Sequence, residues 1–240
     1  MILYGRNPVR EALRGRRAAS IEAVWATPGA AREPWLQGVA VRAASAEEIE
    51  RRCGSSAHQG VCAEAGGYHY AGAEELLAGD SPLIVALDQI QDPQNLGSIC
   101  RTAECVGAAG VVIPERRAAE VTAAVCKASA GAVEHLPVAR VRNLADFLQE
   151  ARHAGCWSYG ASALESSTER IPVPYDAPSY RGSGVVLVLG SEGSGLRPRV
   201  AKACDELIAL PLAGRIESLG VSAAAAALLY EILQSRASSS

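Results

Sequence analysis

"VLVLGSEGSGLRPRV" (186–200) runs from an unbroken apolar stretch into a loop of three glycines and one carboxylate, then into Arg197-Pro198. A short continuous apolar run of this kind suits a strand buried on both faces, as in a parallel sheet. Gly190, Gly193 and Gly195 supply positive φ and let backbone approach a neighbour or ligand closely. A bare turn has little use for Glu192 among those glycines. The segment is not G-x-G-x-x-G, lacks the Gly-Lys-Ser/Thr of a P-loop and contains no G-x-S-x-G. Dinucleotide, nucleoside-triphosphate and serine-hydrolase chemistry all lose support.

Four more apolar runs flank it: LIVALD (83–88), GVVIP (110–114), WSYGAS (157–162) and ELIALPL (206–212). Helical patterns occupy 95–107, 118–130, 143–154, 197–204 and 221–236. This alternation predicts a doubly wound α/β sheet with ligands at the carboxyl ends of its strands. The first third reads differently. Asn7-Pro8 signals an N-cap with Pro at N1, IEAVWA (21–26) and HQGVCAEA (58–65) read as strands, and Ser45 with Glu48 forms a capping box. Residues 66–82 mix glycines, turn residues and one short helix, as a linker does. The boundaries that follow are a small unit at 1–72, a linker at 73–82 and a large unit at 83–240.

Composition narrows the function. The chain has 240 residues, 49% hydrophobic and 20% charged, with seven cysteines and four histidines. The cysteines are scattered, odd in number and free of C-x-x-C pairs, and no H-E-x-x-H occurs, so a disulfide framework or metal site is not expected. No stretch reaches the roughly 18–20 apolar residues that cross a bilayer, and charges interrupt the opening residues where a signal peptide needs an apolar core. The expectation is a cytoplasmic protein. Net charge is −3, yet residues 1–17 hold five arginines against one glutamate, and only two of the 23 basic residues are lysine. That local excess, rather than the total, is what a nucleic acid would meet.

Two other loops follow strands of the same sheet. In LDQIQDPQNLGSICRTAECVG (87–107), Asn95 opens a helix whose Leu96, Ile99, Cys100, Ala103 and Val106 form one apolar stripe. Arg101 lies about 160° from the centre of that stripe, taking ~100° per residue. On helix geometry alone this is equally a solvated arginine with a capping asparagine. In IALPLAGRIESLGVS (208–222), a strand and a Leu-Pro turn lead to a polar loop and then to five alanines. All three loops follow strands of one sheet and so can meet in space.

Together these segments resemble the SpoU/TrmH branch of the SPOUT RNA methyltransferases. The resemblance rests on Asn95-Leu96-Gly97 through Arg101-Thr102-Ala103, on Gly190-Ser191-Glu192-Gly193-Ser194-Gly195, on Leu210-Pro211, and on Ser218-Leu219-Gly220-Val221-Ser222. Where the family has Asn in the last motif, this chain has Gly220. YGRNPVREAL and HQGVCAEA are similar to the start and end of the small L30e-like domain of the 23S rRNA 2′-O-methyltransferases. The resemblance implies a parallel-sheet domain with a carboxyl-terminal trefoil knot, an exception to the rule against knots. It also implies a homodimer, S-adenosylmethionine held by Gly190, Leu210 and Leu219, and catalytic roles for Asn95, Arg101, Glu192 and Ser218. The substrate implied is a ribose 2′-hydroxyl of RNA, a 23S rRNA guanosine foremost and tRNA second, with no metal. In this reading Glu192 orients Arg101. A non-catalytic RNA-binding or ribosome-assembly factor of the same fold is the alternative, motivated by Gly220.

Overall fold

The amino-terminal third builds its own small sheet in a computed structural model, which describes residues 1–162, 170–216 and 218–237. In order come β1 (Ile2–Tyr4), α1 (Arg6–Arg14), β2 (Ile21–Ala26), β3 (Val41–Ala43), α2 (Ala46–Cys53) and β4 (Val61–Ala65), with the strands arranged β1-β4-β2-β3. α2 is capped as expected, Ser45 Oγ accepting from Glu48 N at 3.2 Å. α1 starts earlier than Asn7-Pro8 suggests. Gly5 (φ 93) takes the N-cap position and Asn7 lies inside the helix. The Arg6 amide donates instead to Gln59 Oε1 at 3.0 Å, so a side chain from the turn before β4 does the capping that Asn7 was expected to do.

Residues 66–82 are not a loose tether. α3 (Ala73–Leu77) buries Leu76 against Ile84, Ala86 and Val112, and Ala71 makes a parallel bridge to Ala139. Tyr68 Oη donates towards the Val133 and Leu136 carbonyls, 3.3 Å from each.

The large unit continues with β5 (Leu83–Asp88), α4 (Pro93–Cys105), β6 (Gly110–Pro114), α5 (Ala123–Ala128), β7 (Val138–Val141) and α6 (Leu144–His153). It closes with β8 (Cys156–Ala161), β9 (Val173–Pro174), β10 (Gly184–Gly190), α7 (Pro198–Ala203), β11 (Glu206–Ala209) and α8 (Val221–Ala237). Its seven strands are all parallel, in the order β7-β6-β5-β10-β8-β11-β9. Side chains alternate across it. Leu83, Val85 and Leu87 pack with residues of α4 and α8, whereas Ile84 and Ala86 pack with Phe147, Leu148 and Val200 of α6 and α7. The chain leaves β5 towards β6 on one side and β10 towards β11 on the other. The β5/β10 boundary is therefore the topological switch point, where a crevice opens at the carboxyl ends.

β5 and β6 coincide with the predicted runs, and β10 with the apolar run GVVLVLG (184–190) that leads into the glycine loop. β11 ends at Ala209 because Pro211 cannot extend a ladder, and α5 covers only six of the residues expected to be helical. α4 begins at Pro93, with Asp92 Oδ1 accepting from Gln94 N at 3.0 Å. Asp-Pro supplies both a cap and an N1 residue, and so outcompetes Asn95, which becomes the third residue of the helix. Five of the seven cysteines are buried, Cys53 is partly so, and Cys105 is exposed. Burial pushes the Cys100 and Cys204 thiols up to about 12, where thiolate chemistry is suppressed.

The alanine run lies in α8, which crosses α4 and leans on β10. Ala225, Leu228, Leu229 and Ile232 are buried, whereas Ala223, Ala227, Tyr230 and Leu233 make an exposed apolar stripe. Ala225→Leu forces three extra carbons into a filled site and is expected to cost about 1–3 kcal/mol. Paired urea titrations of the native protein and this variant check it, and equal midpoints would refute close packing at Ala225.

Candidate active site at the switch point

Asp88 ends β5 wholly buried, in register with Gly190 at the end of β10. A carboxylate there needs strong partners, and Arg197 provides them. Its backbone N donates to Oδ2 at 2.8 Å, and its Nε and Nη2 each reach Oδ1 at 2.7 Å. This clamp fixes where the glycine loop ends and α7 begins. Between these anchors the loop folds back on itself, Gly195 N donating to Ser191 O at 2.9 Å with Gly193 at φ 81 and Gly195 at φ 63. A Cβ at Gly190 would stand only 2.2–2.4 Å from the backbone of Gly195 and Leu196. Gly190 is thus required by the loop itself, whatever it does for a ligand.

The loop, the 89–95 segment and Val221 enclose a crevice of about 300 Å³. Gln89 enters it from a left-handed conformation (φ 63), uncommon for a residue other than Gly, Asn or Asp. Glu192 organises the crevice. Its Oε1 accepts from Asn95 Nδ2 at 3.3 Å and from the Val221 backbone amide at 3.2 Å. The second donor is the first amide of α8, where unsatisfied N–H groups and the helix dipole both favour an anion. One carboxylate therefore joins the helix after β5, the loop after β10 and the helix after β11. Gly220, at φ 76, sits beside it, and a Cβ there would meet only Glu192 Oε1, at 3.5 Å.

Of the residues singled out by sequence, Asn95 and Glu192 are brought into contact. Arg101 is not joined to Glu192. Six residues beyond Asn95 on α4, it is about 9 Å along the axis and about 240° around it. It is exposed, and its guanidinium makes no hydrogen bond or ion pair among the described residues. Ser218 is exposed on the loop before α8, Leu219 is 52% exposed, and Leu210 is half-buried. Nearby Ile216 is 76% exposed, so that loop offers unusual apolar surface. Sequence reasoning missed Asp88, Arg197 and Gln89. The signal for Asp88 was a lone charge at the end of an all-apolar strand. Among the described residues no cluster of His, Cys, Asp or Glu is placed to hold a metal, and no described helix is long and apolar enough to cross a membrane.

Known protein families match nearly the whole chain. Residues 82–230 match the SpoU rRNA Methylase family, and residues 2–71 match the RNA 2′-O ribose methyltransferase substrate-binding family. The chain is 42% identical to the putative TrmH family tRNA/rRNA methyltransferase YacO of Bacillus subtilis, over 83% of this chain and 79% of that protein. It is 33% identical to a putative TrmH family tRNA/rRNA methyltransferase of Staphylococcus haemolyticus, over 98% and 96%. Among solved structures, an AdoMet-bound rRNA methyltransferase from Sinorhizobium meliloti superposes with TM-score 0.79 at 25% identity, covering 97% of this chain and 86% of that one. A switch-point crevice built by three strand-end loops, together with these matches, shows that the chain belongs to the SpoU family of RNA methyltransferases.

Proposed function

We propose that this protein transfers a methyl group from S-adenosylmethionine to a ribose 2′-hydroxyl of RNA, with a guanosine of 23S rRNA as the target. The carrying observation is Glu192, whose carboxylate ties Asn95 and the start of α8 together at the mouth of the crevice. The residues present fit the cofactor. The 190–195 loop exposes backbone beside an open crevice, and in the chain leading to the crevice residue Val221 the side chains of Leu212, Ile216 and Leu219 are uncovered, apolar surface of the kind an adenine ring requires. Gly190, Leu210 and Leu219 would hold it.

When bound, that cofactor would supply an electrophilic methyl carbon; the 2′-oxygen would bond to it as the carbon–sulfur bond breaks, and the hydroxyl proton would pass to water. The chain's own residues bring the hydroxyl into line, which is the larger part of such catalysis. Glu192 holds Asn95 towards the ribose, and Ser218 adds a hydrogen bond. A guanidinium is not deprotonated in proteins, so Arg101 serves as a fixed cation for the developing alkoxide and a neighbouring phosphate. Arg101 stands off its own crevice, and α8 exposes an apolar stripe. We therefore read the working form as a homodimer in which Arg101 serves the crevice of the partner protomer; the carboxyl-terminal knot is implied by the family resemblance alone, and the cytoplasm remains the expected location. Residues 1–72 form the RNA-binding unit.

The test is calorimetry with S-adenosylmethionine, followed by mass-spectrometric mapping of methyl groups on in vitro transcribed 23S rRNA and tRNA. Binding and 2′-O-methylation of the 23S transcript are expected for the native protein. Gly220→Asn is expected to preserve both, because Asn tolerates left-handed backbone and its Cβ meets nothing nearer than 3.5 Å. Cofactor-free behaviour of the native protein, with activity gained only in Gly220→Asn, would establish the non-catalytic RNA-binding factor instead.

A further inference from the structure

The carboxyl edge of the large sheet extends past the crevice, and it carries cations that the proposed methyl transfer does not use. Arg116 and Arg117 follow β6, and Arg142 follows β7. All three are exposed, and none has a hydrogen bond or ion pair to its side chain among the described residues. Between them Arg140 is already engaged, with Glu120 at 3.3 Å and its guanidinium over the Tyr70 ring. That contact leaves Glu115 as the remaining carboxylate of the 115–121 loop. In a chain of net charge −3, three exposed guanidiniums against the Glu115 carboxylate at one edge stand out.

This loop is fastened to the crevice rather than merely near it. Ala119 N donates to the carbonyl of Ile90, a crevice residue, at 2.8 Å. Glu115 N donates to Val141 O at 2.9 Å, placing the loop against the residue before Arg142. On its far side Val121 N donates to Tyr70 Oη at 2.9 Å, at the end of the small unit. Neighbouring strands lie about 4.8 Å apart, so the end of β7 is only about 10 Å from the end of β5. Arg117 sits at φ 59 within this pinned loop, uncommon for a residue other than Gly, Asn or Asp.

We infer that Arg116, Arg117 and Arg142 form a phosphate-binding track that carries the RNA backbone from the crevice towards the small unit. The inference rests on the RNA-methylation reading and adds the surface along which the substrate lies. Guanidinium suits it, since its fork matches phosphate oxygens while reading no sequence.

The experiment compares the native protein with an Arg116→Gln/Arg117→Gln/Arg142→Gln variant, using in vitro transcribed 23S rRNA and mixed-sequence single-stranded RNA as probes. Each lost phosphate contact lowers the slope of log K against log salt by about 0.7 on single strands. The triple variant should therefore lose about 2 units of slope and bind both RNAs roughly 10- to 100-fold more weakly at 0.1 M salt. KM for RNA should rise, with kcat at saturating RNA within about twofold and S-adenosylmethionine affinity unchanged. Lys202→Gln, on α7 across the sheet, should leave the slope as it is. An unchanged slope and KM in the triple variant would overturn the track while leaving methylation intact. A native protein that binds neither RNA would overturn the RNA reading itself.

Discussion

Glu192→Ala is expected to lower kcat for methyl transfer by about 100-fold or more while leaving the protein folded. The carboxylate is the single group bonded both to Asn95 and to the first amide of α8. Removing it frees the Asn95 side chain and lets the loop before α8 drift. A misplacement of about 1 Å in a reacting group is enough to cost about 10²-fold. The fold should survive, because the clamp that shapes the loop is Asp88 with Arg197, which this change does not touch. Glu192 is also exposed, so no buried charge is orphaned. Single-turnover methylation with a parallel thermal melt checks both halves. Glu192→Gln, which keeps an acceptor oxygen but no charge, should fall between native and alanine. Full activity in the alanine variant would remove Glu192 from the centre of the site.

How much of this was readable beforehand depends on what each residue answers to. β5, β6 and β10 were legible because a strand buried on both faces must be apolar throughout, and few other elements need that. β7 was not, since Arg140 interrupts its four residues near the sheet edge and the signal fades. β1 and β9 are too short for any periodicity. At α4 two capping signals lay three residues apart, and the Asp-Pro pair won over Asn95 by supplying cap and N1 together. The candidate site divides in the same way. Glycines in a strand-end loop announce tight backbone, so Gly190, Gly193 and Gly195 were visible, although Gly190 is dictated first by the loop's own closure. The contact between Asn95 and Glu192 spans 97 residues, a separation that no spacing rule addresses. Arg101 could be placed on the outward face of its helix by periodicity. Its separation from Glu192 needed the sheet order.

Glu134→Ala is expected to destabilise the protein by about 3–5 kcal/mol. Glu134 and Arg17 form an ion pair with side chains 0% and 3% exposed, joined through Nη2–Oε1 and through Nε–Oε2 at 2.9 Å. The guanidinium also reaches Cys126 Sγ at 3.3 Å and Met1 Sδ at 3.5 Å and lies over the Tyr68 ring. Burial acts to lower the Arg17 pKa, but the bonds to Glu134 outweigh it and hold it above the ordinary arginine value. It therefore remains charged across all working pH. Losing Glu134 leaves that charge without its counterion in a dry site, which is why breaking a buried pair costs more than the pair ever contributes. The location matters as much as the energy. Arg17 belongs to the small unit and Glu134 to the large one, and Gly15 allows their backbones to close on each other, since a Cβ there would lie 2.6 Å from Glu134 O. The pair thus joins the small unit to the large one. At roughly 2–4 °C per kcal/mol for a chain of this size, Glu134→Ala should melt about 10 °C lower. The Arg17→Met/Glu134→Leu double variant removes both charges and should recover most of that loss. A double variant no better than the single would show that the damage is lost packing rather than an orphaned charge. A single variant within about 1 kcal/mol of native would show that water reaches the pair.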